Sequence, residues 1–207
     1  MNGSTPTTGA PAAEVSTGEA LAGRTLIVVP AWNESGSIES VIHEIRAVLP
    51  GVDVLVVDDG SRDDTGLKAR AAGATVARLP YNLGVGAAMR LGYRYARAHG
   101  YDYVVQCDAD GQHDPAWIPK LLEKLEEGYD MVVGARDWAG QAGVSRGMAN
   151  AFYNWLATRM TGYPVKDLTS GFRAVRAERF REFLHLLPNG FSYPTTSTMA
   201  FFRSAYP

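Results

Sequence analysis

The amino-acid sequence predicts an α/β fold in which a mostly parallel sheet is flanked by helices on both faces. From residue 24 onward, short apolar runs rich in β-branched residues alternate with segments whose apolar residues recur at helical spacing. The apolar runs lack polar alternation, which is typical of parallel strands buried on both faces. Polar motifs follow several of these runs, at the edge where open α/β sheets bind ligands.

Five strands are predicted, at residues 25–29, 52–58, 74–79, 103–108 and 130–134. Helices are predicted at 38–49, 63–72, 83–99 and 115–127. The first of these ends at Pro50-Gly51, and the others end near Gly73, Gly100 and Gly128, each suited to a left-handed helix C-cap. A glycine-rich loop at 139–147 then precedes an aromatic helix near 152–160. This helix faces either the core or a lipid surface.

The 207 residues suffice for one catalytic domain, which we assign to residues 24–207. Residues 1–23 are rich in Gly, Pro, Thr and Ala and lack periodic hydrophobicity, so they are expected to form a disordered leader. The sequence stops at Pro207, just after an apolar segment. The domain is therefore expected to be truncated at its C-terminus.

The composition is that of an ordinary globular protein, with a formal net charge of -2 and 46% hydrophobic residues. Lys and Arg are scattered, so no nucleic-acid partner is indicated. The single cysteine, Cys107, excludes an intramolecular disulfide framework and a multi-cysteine zinc site, and it favours a cytoplasmic location. No apolar run reaches the roughly 18–20 residues of a membrane-spanning helix.

Two neighbouring segments carry groups suited to a nucleoside. The first strand ends in PAWNE and the second in VDDGSRDDT, which place an indole ring, an amide and several carboxylates at one edge of the sheet. A flat ring can face a base, while carboxylates and amides can bind the base and the ribose hydroxyls. The alternative is that the Asp-Asp-Gly-Ser sequence is only a strand-to-helix turn with a cap.

The fourth strand leads into the acidic motif DADGQHDP. Asp108, Asp110 and Gln112 alternate, so an extended backbone would aim all three side chains to one side. Their oxygens suit Mg²⁺ or Mn²⁺ bridging a diphosphate, and such an ion would offset charge on the leaving group. A purely structural role is the alternative, because Asp114-Pro115 also makes a good helix start.

Two further motifs are less specific. NLGVGAA could cradle a phosphate at a helix N-terminus, although close packing of a Gly/Ala-rich helix is the preferred interpretation. Arg136, Arg146 and Arg173 are suited to bidentate contacts with phosphate oxygens. For the first two the alternative is a solvated surface charge, and Arg173 could instead pair with Asp167.

Taken together, the ordered blocks VVPAWNE, VVDDGSRDDT, NLGVGAA, DADGQHDP, GAR and TSGFR resemble the family 2 glycosyltransferases with the GT-A fold, a Rossmann-like architecture. Within that family the resemblance is to the polyprenyl-phosphate, dolichol-phosphate mannose synthase-like branch. It covers residues 25–176. Trp32 stands where tyrosine is common, which should preserve stacking, and the chain stops before the further strand and the amphipathic or membrane helices that the family normally has.

The resemblance implies a role for each matching residue. Nucleotide contacts would come from Pro30, Ala31, Asn33, Glu34, Asp58, Asp59, Asp108 and Ala109. The metal would be bound by Asp108, Asp110 and Gln112. Acceptor-phosphate contacts would come from Arg136, Arg146 and Ser170, and the catalytic set would be Asp110, Arg136 and Arg146. The implied partners are a nucleotide-sugar donor, a polyprenyl-phosphate acceptor and, through a part of the protein beyond residue 207, the inner face of a membrane.

The expected reaction is inverting, metal-dependent sugar transfer to a polyprenyl phosphate, whose anionic oxygen needs no protein base. A hydroxyl acceptor is the first alternative and would need a base, for which Asp137 and Asp167 are candidates. A nucleotidyltransferase is the second. It would normally have a Gly-rich, basic loop after the first strand, where this sequence has PAWNE.

Overall fold

The protein is described here by a computed structural model, which covers residues 17–134, 159, 167 and 169–206. Its strands form one six-stranded sheet: β1 Thr25–Ala31, β2 Asp53–Asp58, β3 Thr75–Arg78, β4 Tyr103–Gln106, β5 Met131–Val133 and β6 Arg173–Arg176. The strand order is β3-β2-β1-β4-β6-β5. The predicted α/β class is confirmed, since β1 to β4 pair in parallel.

The last strand in the chain was not predicted. β6 inserts between β4 and β5 and pairs antiparallel with both. Its first residue, Arg173, is the last residue of the TSGFR motif and pairs with Gln106, so the motif lies beside the carboxyl end of β4. Arg173, Ala174 and Val175 are all buried.

The helices cover both faces of this sheet. They are α1 Thr17–Ala22, α2 Ile38–Val48, α3 Thr65–Ala71, α4 Val85–His99, α5 Ile118–Glu126, α6 Ala177–Phe180 and α7 Tyr193–Arg203. Single 3₁₀ segments occur at Pro115–Trp117 and Arg181–Leu186. The predicted C-cap at Gly100 is confirmed, with a left-handed φ of 76° that favours glycine.

The C-terminal part of the predicted leader is helical. Thr17–Ala22 forms helix α1, and Ala22 is buried in the core. The hydroxyl of Thr25 donates a hydrogen bond of 2.7 Å to the Leu21 carbonyl, which ties the helix to β1. Residues 17–22 are therefore structured, and the boundary drawn at residue 24 is wrong for them. The rest of the predicted leader lies outside the described residues.

The core has two layers, one on each face of the sheet. Ile27 and Val29 of β1 pack into the layer beneath α2, α3 and α5. Leu26 and Val28 alternate with them and pack beneath α4, α6 and α7. Burial of both sides explains why the strands read as continuous apolar runs.

Within the described part of the chain, no helix has the length and apolar character needed to cross a bilayer. The predicted glycine-rich loop at 139–147 and the aromatic helix near 152–160 lie outside the described residues.

Candidate active site

The segments that follow β1 and β2 meet at the carboxyl edge of the sheet, as predicted. The backbone N–H of Asn33 donates to the Ser61 hydroxyl at 3.0 Å, and Oδ1 of Asn33 accepts from the N–H of Arg62 at 2.8 Å. The N–H of Glu34 donates to the Thr65 hydroxyl at 2.8 Å. Asn33 has a φ of 58°, a left-handed conformation that asparagine tolerates better than most residues. Asn33 therefore joins the two turns.

Asp58 has a structural position, which corrects its assignment to the nucleotide. Its side chain is fully buried, and Oδ1 accepts a hydrogen bond of 2.8 Å from the N–H of Ser61. Oδ2 lies 3.6 Å from Nε of Arg78 and 2.9 Å from where a Cβ on Gly66 would be. Asp58 thus stabilises the turn between β2 and α3, which was the alternative considered for this motif.

Asp59, by contrast, lines an open cavity at the carboxyl edge of the sheet, and its carboxylate binds the segment just before α4. Oδ1 accepts from the N–H of Leu83 at 2.7 Å, and Oδ2 accepts from the N–H of Gly84 at 2.8 Å. The N–H of Gly86 donates to the Asn189 carbonyl at 2.7 Å. Because protein acceptors already use these N–H groups, the geometry favours close packing of the NLGVGAA motif over a phosphate cradle.

The turn after β4 differs from the predicted extended backbone. β4 ends at Gln106, and the chain then turns through Gly111, whose φ is 73°. Oδ1 of Asp110 accepts from the N–H of Gln112 at 2.9 Å, an arrangement typical of an Asx turn. The inference that strand alternation aligns three side chains is therefore wrong, because no strand is present there.

Asp108 is held by three neighbouring groups. Nε2 of Gln106 donates to Oδ1 of Asp108 at 2.8 Å. The N–H of Asp108 donates to Nδ1 of the buried His113 at 3.1 Å, and Nε2 of that imidazole lies 3.7 Å from Oδ2 of Asp108. A Cβ on Gly171 would come within 2.8 Å of Oδ2 of Asp108, so the backbone there presses closely on the carboxylate. About a third of the Asp108 side chain, 34%, remains exposed.

Asp108 and Asp110 also line this cavity, which has a volume of about 430 Å³ and is called the main cavity below. Other predicted residues in its lining are Pro30, Ala31, Glu34, Asp59 and Ala109. Within the described ranges no group of three or more His, Cys, Asp or Glu side chains is placed to hold a metal ion. Two carboxylates on a shared cavity nevertheless fit Mg²⁺ or Mn²⁺, since hard cations often take one or two carboxylates together with substrate phosphates and water.

Gln112 does not share this cavity. It lines a second cavity of about 390 Å³ with His113, Trp117 and Phe172. The turn at Gly111 thus replaces the strand alternation from which the three side chains were grouped. The predicted helix start at Asp114-Pro115 is confirmed, because Oδ1 of Asp114 accepts from the N–H of Ala116 at 2.9 Å.

A side cavity of about 620 Å³ adjoins the first and shares Trp32 and Asn82 with it. The Trp32 ring is half exposed, at 51%, and Tyr81 on the same side cavity is 64% exposed. Arg62, Arg78 and Asp63 add charged groups of both signs to its lining. An aromatic recess with charged and polar groups beside the two carboxylates is suited to a nucleoside.

Ser170 and Arg173 have structural contacts. Ser170 is fully buried, and its hydroxyl donates to the Gly134 carbonyl at 2.7 Å. Arg173 is also fully buried, and it donates to Ser197 and to backbone carbonyls. Asp167 accepts hydrogen bonds from Thr169. The predicted Arg136, Arg146 and Asp137 lie outside the described residues.

Sequence reasoning missed several residues of this site. Gln106 and His113 hold Asp108, and Asn82 and Phe191 line the main cavity. A glutamine at the end of an otherwise apolar strand was a usable signal for Gln106. Phe191 gave none, because its place in the cavity depends on how residues 187–191 fold against α4.

Fold and site together define a GT-A glycosyltransferase. The sequence model of the family described as "Glycosyl transferase family 2" matches residues 26–184 of this chain. The chain is 35% identical to an undecaprenyl-phosphate mannosyltransferase of Micrococcus luteus, over 76% of this chain and 68% of that protein. It is 31% identical to a polyprenol monophosphomannose synthase of Mycolicibacterium smegmatis, over 75% and 62%. This chain belongs to glycosyl transferase family 2.

Solved structures agree with this assignment. Glucosyl-3-phosphoglycerate synthase of Mycobacterium tuberculosis bound to UDP superposes with a TM-score of 0.70 and 30% identity, covering 95% of this chain and 72% of that one. The same enzyme with Mn²⁺, UDP-glucose and phosphoglyceric acid gives a TM-score of 0.71. The chain thus spans 62–72% of the length of these relatives.

Proposed function

We propose that this chain transfers a sugar from a nucleotide diphosphate sugar to a polyprenyl phosphate, with inversion at the anomeric carbon and with Mg²⁺ or Mn²⁺. The observation that carries the proposal is the common cavity of Asp59, Asp108 and Asp110, which joins a nucleoside recess to two metal-compatible carboxylates. Two relatives named for transfer to lipid phosphates support the acceptor class.

The donor would lie across the carboxyl ends of β1, β2 and β4. In our proposal Pro30 and Ala31 form the floor and Trp32 the aromatic wall against the base. Glu34 supplies a carboxylate at the same cavity. Asp59 orders the facing wall through Leu83 and Gly84.

Asp108 and Asp110 would hold the metal ion. Nε2 of Gln106 donates to Oδ1 of Asp108, which fixes the orientation of this carboxylate. Asp110 is exposed at the cavity, and one of its oxygens accepts from the N–H of Gln112. When bound, a divalent ion of this kind neutralises charge on the leaving nucleotide diphosphate. Ala109, buried between the two carboxylates, keeps them on one short turn.

The acceptor contacts in this proposal come from Arg136 and Arg146. Their guanidinium groups are suited to bidentate binding of a phosphate and would orient one of its oxygens toward the anomeric carbon. A phosphate oxygen is anionic at neutral pH, so no side chain has to remove a proton. Attack in line with the departing diphosphate inverts the configuration. The reaction would occur at the cytoplasmic face of a membrane, where a lipid-linked phosphate is available.

A soluble hydroxyl acceptor is the second candidate. It is favoured by the solved relatives, which are named as glucosyl-3-phosphoglycerate synthases and are about 30% identical to this chain. In that case a carboxylate would have to take the hydroxyl proton. Asp137 and Asp167 are the candidates.

Product partition separates the two candidates. The protein would be incubated with Mn²⁺ and labelled UDP-glucose or GDP-mannose, with either a polyprenyl phosphate or 3-phosphoglycerate as acceptor, and then extracted with organic solvent. The proposal expects label in the organic phase only when the polyprenyl phosphate is present. Aqueous product with 3-phosphoglycerate, and none with the lipid, would favour the hydroxyl acceptor.

A further inference from the structure

Arg173 is a buried cation whose hydrogen-bond partners among the described residues are all neutral. Its side chain has a relative exposure of 0%. Nη1 donates to the Pro194 carbonyl at 3.1 Å and to the Ser197 hydroxyl at 2.6 Å, with a longer contact of 3.4 Å to the Thr198 hydroxyl. Nη2 donates to the Ser170 carbonyl, and Nε has no hydrogen-bond partner.

A buried charge of this kind is costly unless it is well compensated. The compensation here comes from carbonyl and hydroxyl dipoles and from the Tyr193 ring, whose centroid lies 5.6 Å from the guanidinium carbon. Such an arrangement adds little to stability compared with an apolar side chain of similar volume. Stability alone therefore does not explain why an arginine is buried at this position.

The guanidinium bridges two separate parts of the chain. One side binds the first turn of α7, at Pro194 and Ser197, and the other binds the Ser170 carbonyl in the loop before β6. The planar fork of an arginine can make both sets of contacts at once, which a lysine ammonium cannot do in the same geometry. Arg173 thus fixes that loop relative to α7.

The loop held in this way lies against the proposed metal ligand. The backbone at Gly171 approaches two side chains closely. A Cβ at this position would lie 2.8 Å from Oδ2 of Asp108 and 2.8 Å from Nε2 of Gln106, so a larger residue would not fit. Gln106 is also the residue paired with Arg173 across β4 and β6. A shift of the loop would therefore reach both the Asp108 carboxylate and the amide that orients it.

We propose that Arg173 is a positioning residue for the metal site: it ties α7 to residues 170–172 and so sets the position of the Asp108 carboxylate. The inference rests on the metal site of the proposed function. Arg173 itself has no contact with the cavity, so it acts only through Gly171 and Gln106.

The test is Mn²⁺ binding, measured from the electron paramagnetic resonance signal of free Mn²⁺ with UDP or GDP present. Arg173→Met removes the bridge while keeping an apolar side chain of comparable length. We expect it to weaken apparent Mn²⁺ affinity roughly 10- to 100-fold, the usual effect of losing a group that orients a metal ligand. Folding is verified by circular dichroism and by the unfolding midpoint.

Arg176→Met is the matched control. Arg176 lies at the other end of β6, where it donates to the carbonyls of Tyr129 and Leu125 and lies 3.8 Å from Asp130. Its loss should lower the unfolding midpoint and leave Mn²⁺ affinity unchanged. An equal loss of affinity in both variants would mean that Arg173 is only structural.

Folded Arg173→Met with wild-type Mn²⁺ affinity would overturn the positioning role and leave the proposed function intact. Wild-type protein that binds no Mn²⁺ with either nucleotide would overturn both. Should Arg173→Met fail to fold, Arg173→Lys keeps the charge and loses the fork. It is then expected to weaken Mn²⁺ binding, and unchanged binding would contradict the proposal.

Discussion

Oδ2 of Asp59 accepts a hydrogen bond of 2.8 Å from the backbone N–H of Gly84. This bond connects the residue that follows β2 to the residue that precedes α4. It therefore fixes one wall of the main cavity relative to the sheet. The same wall is closed on its outer side by residues 187–191, since the N–H of Gly86 donates to the Asn189 carbonyl and Arg90 donates to the Leu187 carbonyl. The shape of the cavity therefore depends on tight packing at α4.

Gly86→Ala should destabilise the protein by about 1–3 kcal/mol, the usual cost of overpacking. A Cβ there would lie 1.9 Å from the Pro188 carbonyl oxygen, so residues 187–191 would have to move. Urea unfolding measures the change. Gly190→Ala, whose Cβ would meet no atom within 4 Å, is the control and should stay within about 0.5 kcal/mol of wild type. Equal stability of both variants would contradict the packing seen at α4.

Asp110→Ala should abolish metal-dependent transfer and leave the fold intact. The side chain is exposed and its carboxylate accepts the turn hydrogen bond from the Gln112 N–H, so the expected loss of unfolding free energy is about 0.5–1.5 kcal/mol. Asp114→Ala is the converse control, because Asp114 caps the Pro115–Trp117 segment and is absent from the main cavity. It should cost about 0.5–2 kcal/mol of stability and retain activity. Full activity of Asp110→Ala would refute the metal assignment.

Arg136→Ala and Arg146→Ala should each raise the KM for the polyprenyl phosphate more than the KM for the nucleotide sugar. The reason is that phosphate binding by a guanidinium is lost while the donor cavity is unchanged. Steady-state kinetics with each substrate varied in turn give the comparison. Arg97→Ala, on the exposed face of α4, serves as the control. Equal loss for both substrates would count against an acceptor role.

The Cys107 thiol should be inert toward disulfide reagents in the native protein. Burial raises the pKa of Cys107 to about 12, and the neighbouring Asp108 and Asp110 carboxylates act in the same direction. The thiolate is the reactive form, and it is scarce at neutral pH when the pKa is this high. The rate at which Cys107 reacts with a chromogenic disulfide reagent is measured by absorbance, once on the native protein and once in urea. Labelling of native and unfolded protein at the same rate would contradict the burial of this residue.

Asp63 should make stability depend on pH in the acid range. Hydrogen bonding from the Thr65 hydroxyl is the main reason that the pKa of Asp63 falls from 3.8 to about 2. A native pKa below the unfolded value stabilises the fold above pH 3.8, and this contribution is lost as pH falls toward about 2. Asp63→Asn should remove that part of the pH dependence. An identical pH profile for wild type and variant, measured by urea unfolding, would disprove it.

Strand periodicity and the polar motifs predicted much of the architecture. Five strands, the helices between them and the meeting of PAWNE with DDGS at one edge follow from continuous apolar runs and from the geometry of parallel sheets. β6 was missed because its short run, Arg173–Arg176, begins and ends with arginine and so lacks the apolar signature of a buried strand.

The finer errors came from assigning side-chain directions without the backbone. Gln112 was grouped with Asp108 and Asp110 by strand alternation, whereas β4 ends at Gln106 and a turn follows. Asp58 was assigned to the nucleotide, yet its carboxylate accepts a hydrogen bond from the backbone N–H of Ser61 in the interior. Whether a polar side chain faces a cavity or the core depends on tertiary packing, which the local sequence does not encode.

The most direct measurement of the central claim is the unfolding temperature of the protein with a series of nucleotide sugars, each with Mg²⁺ or Mn²⁺ and again with chelator. A ligand that binds only the native state raises stability by RT ln(1 + [L]/Kd), about 2.7 kcal/mol at a hundredfold excess over Kd. The account predicts a rise for at least one nucleotide sugar that chelation removes and that Asp110→Ala lacks. A rise that persists in chelator, or none with any nucleotide sugar, would contradict it.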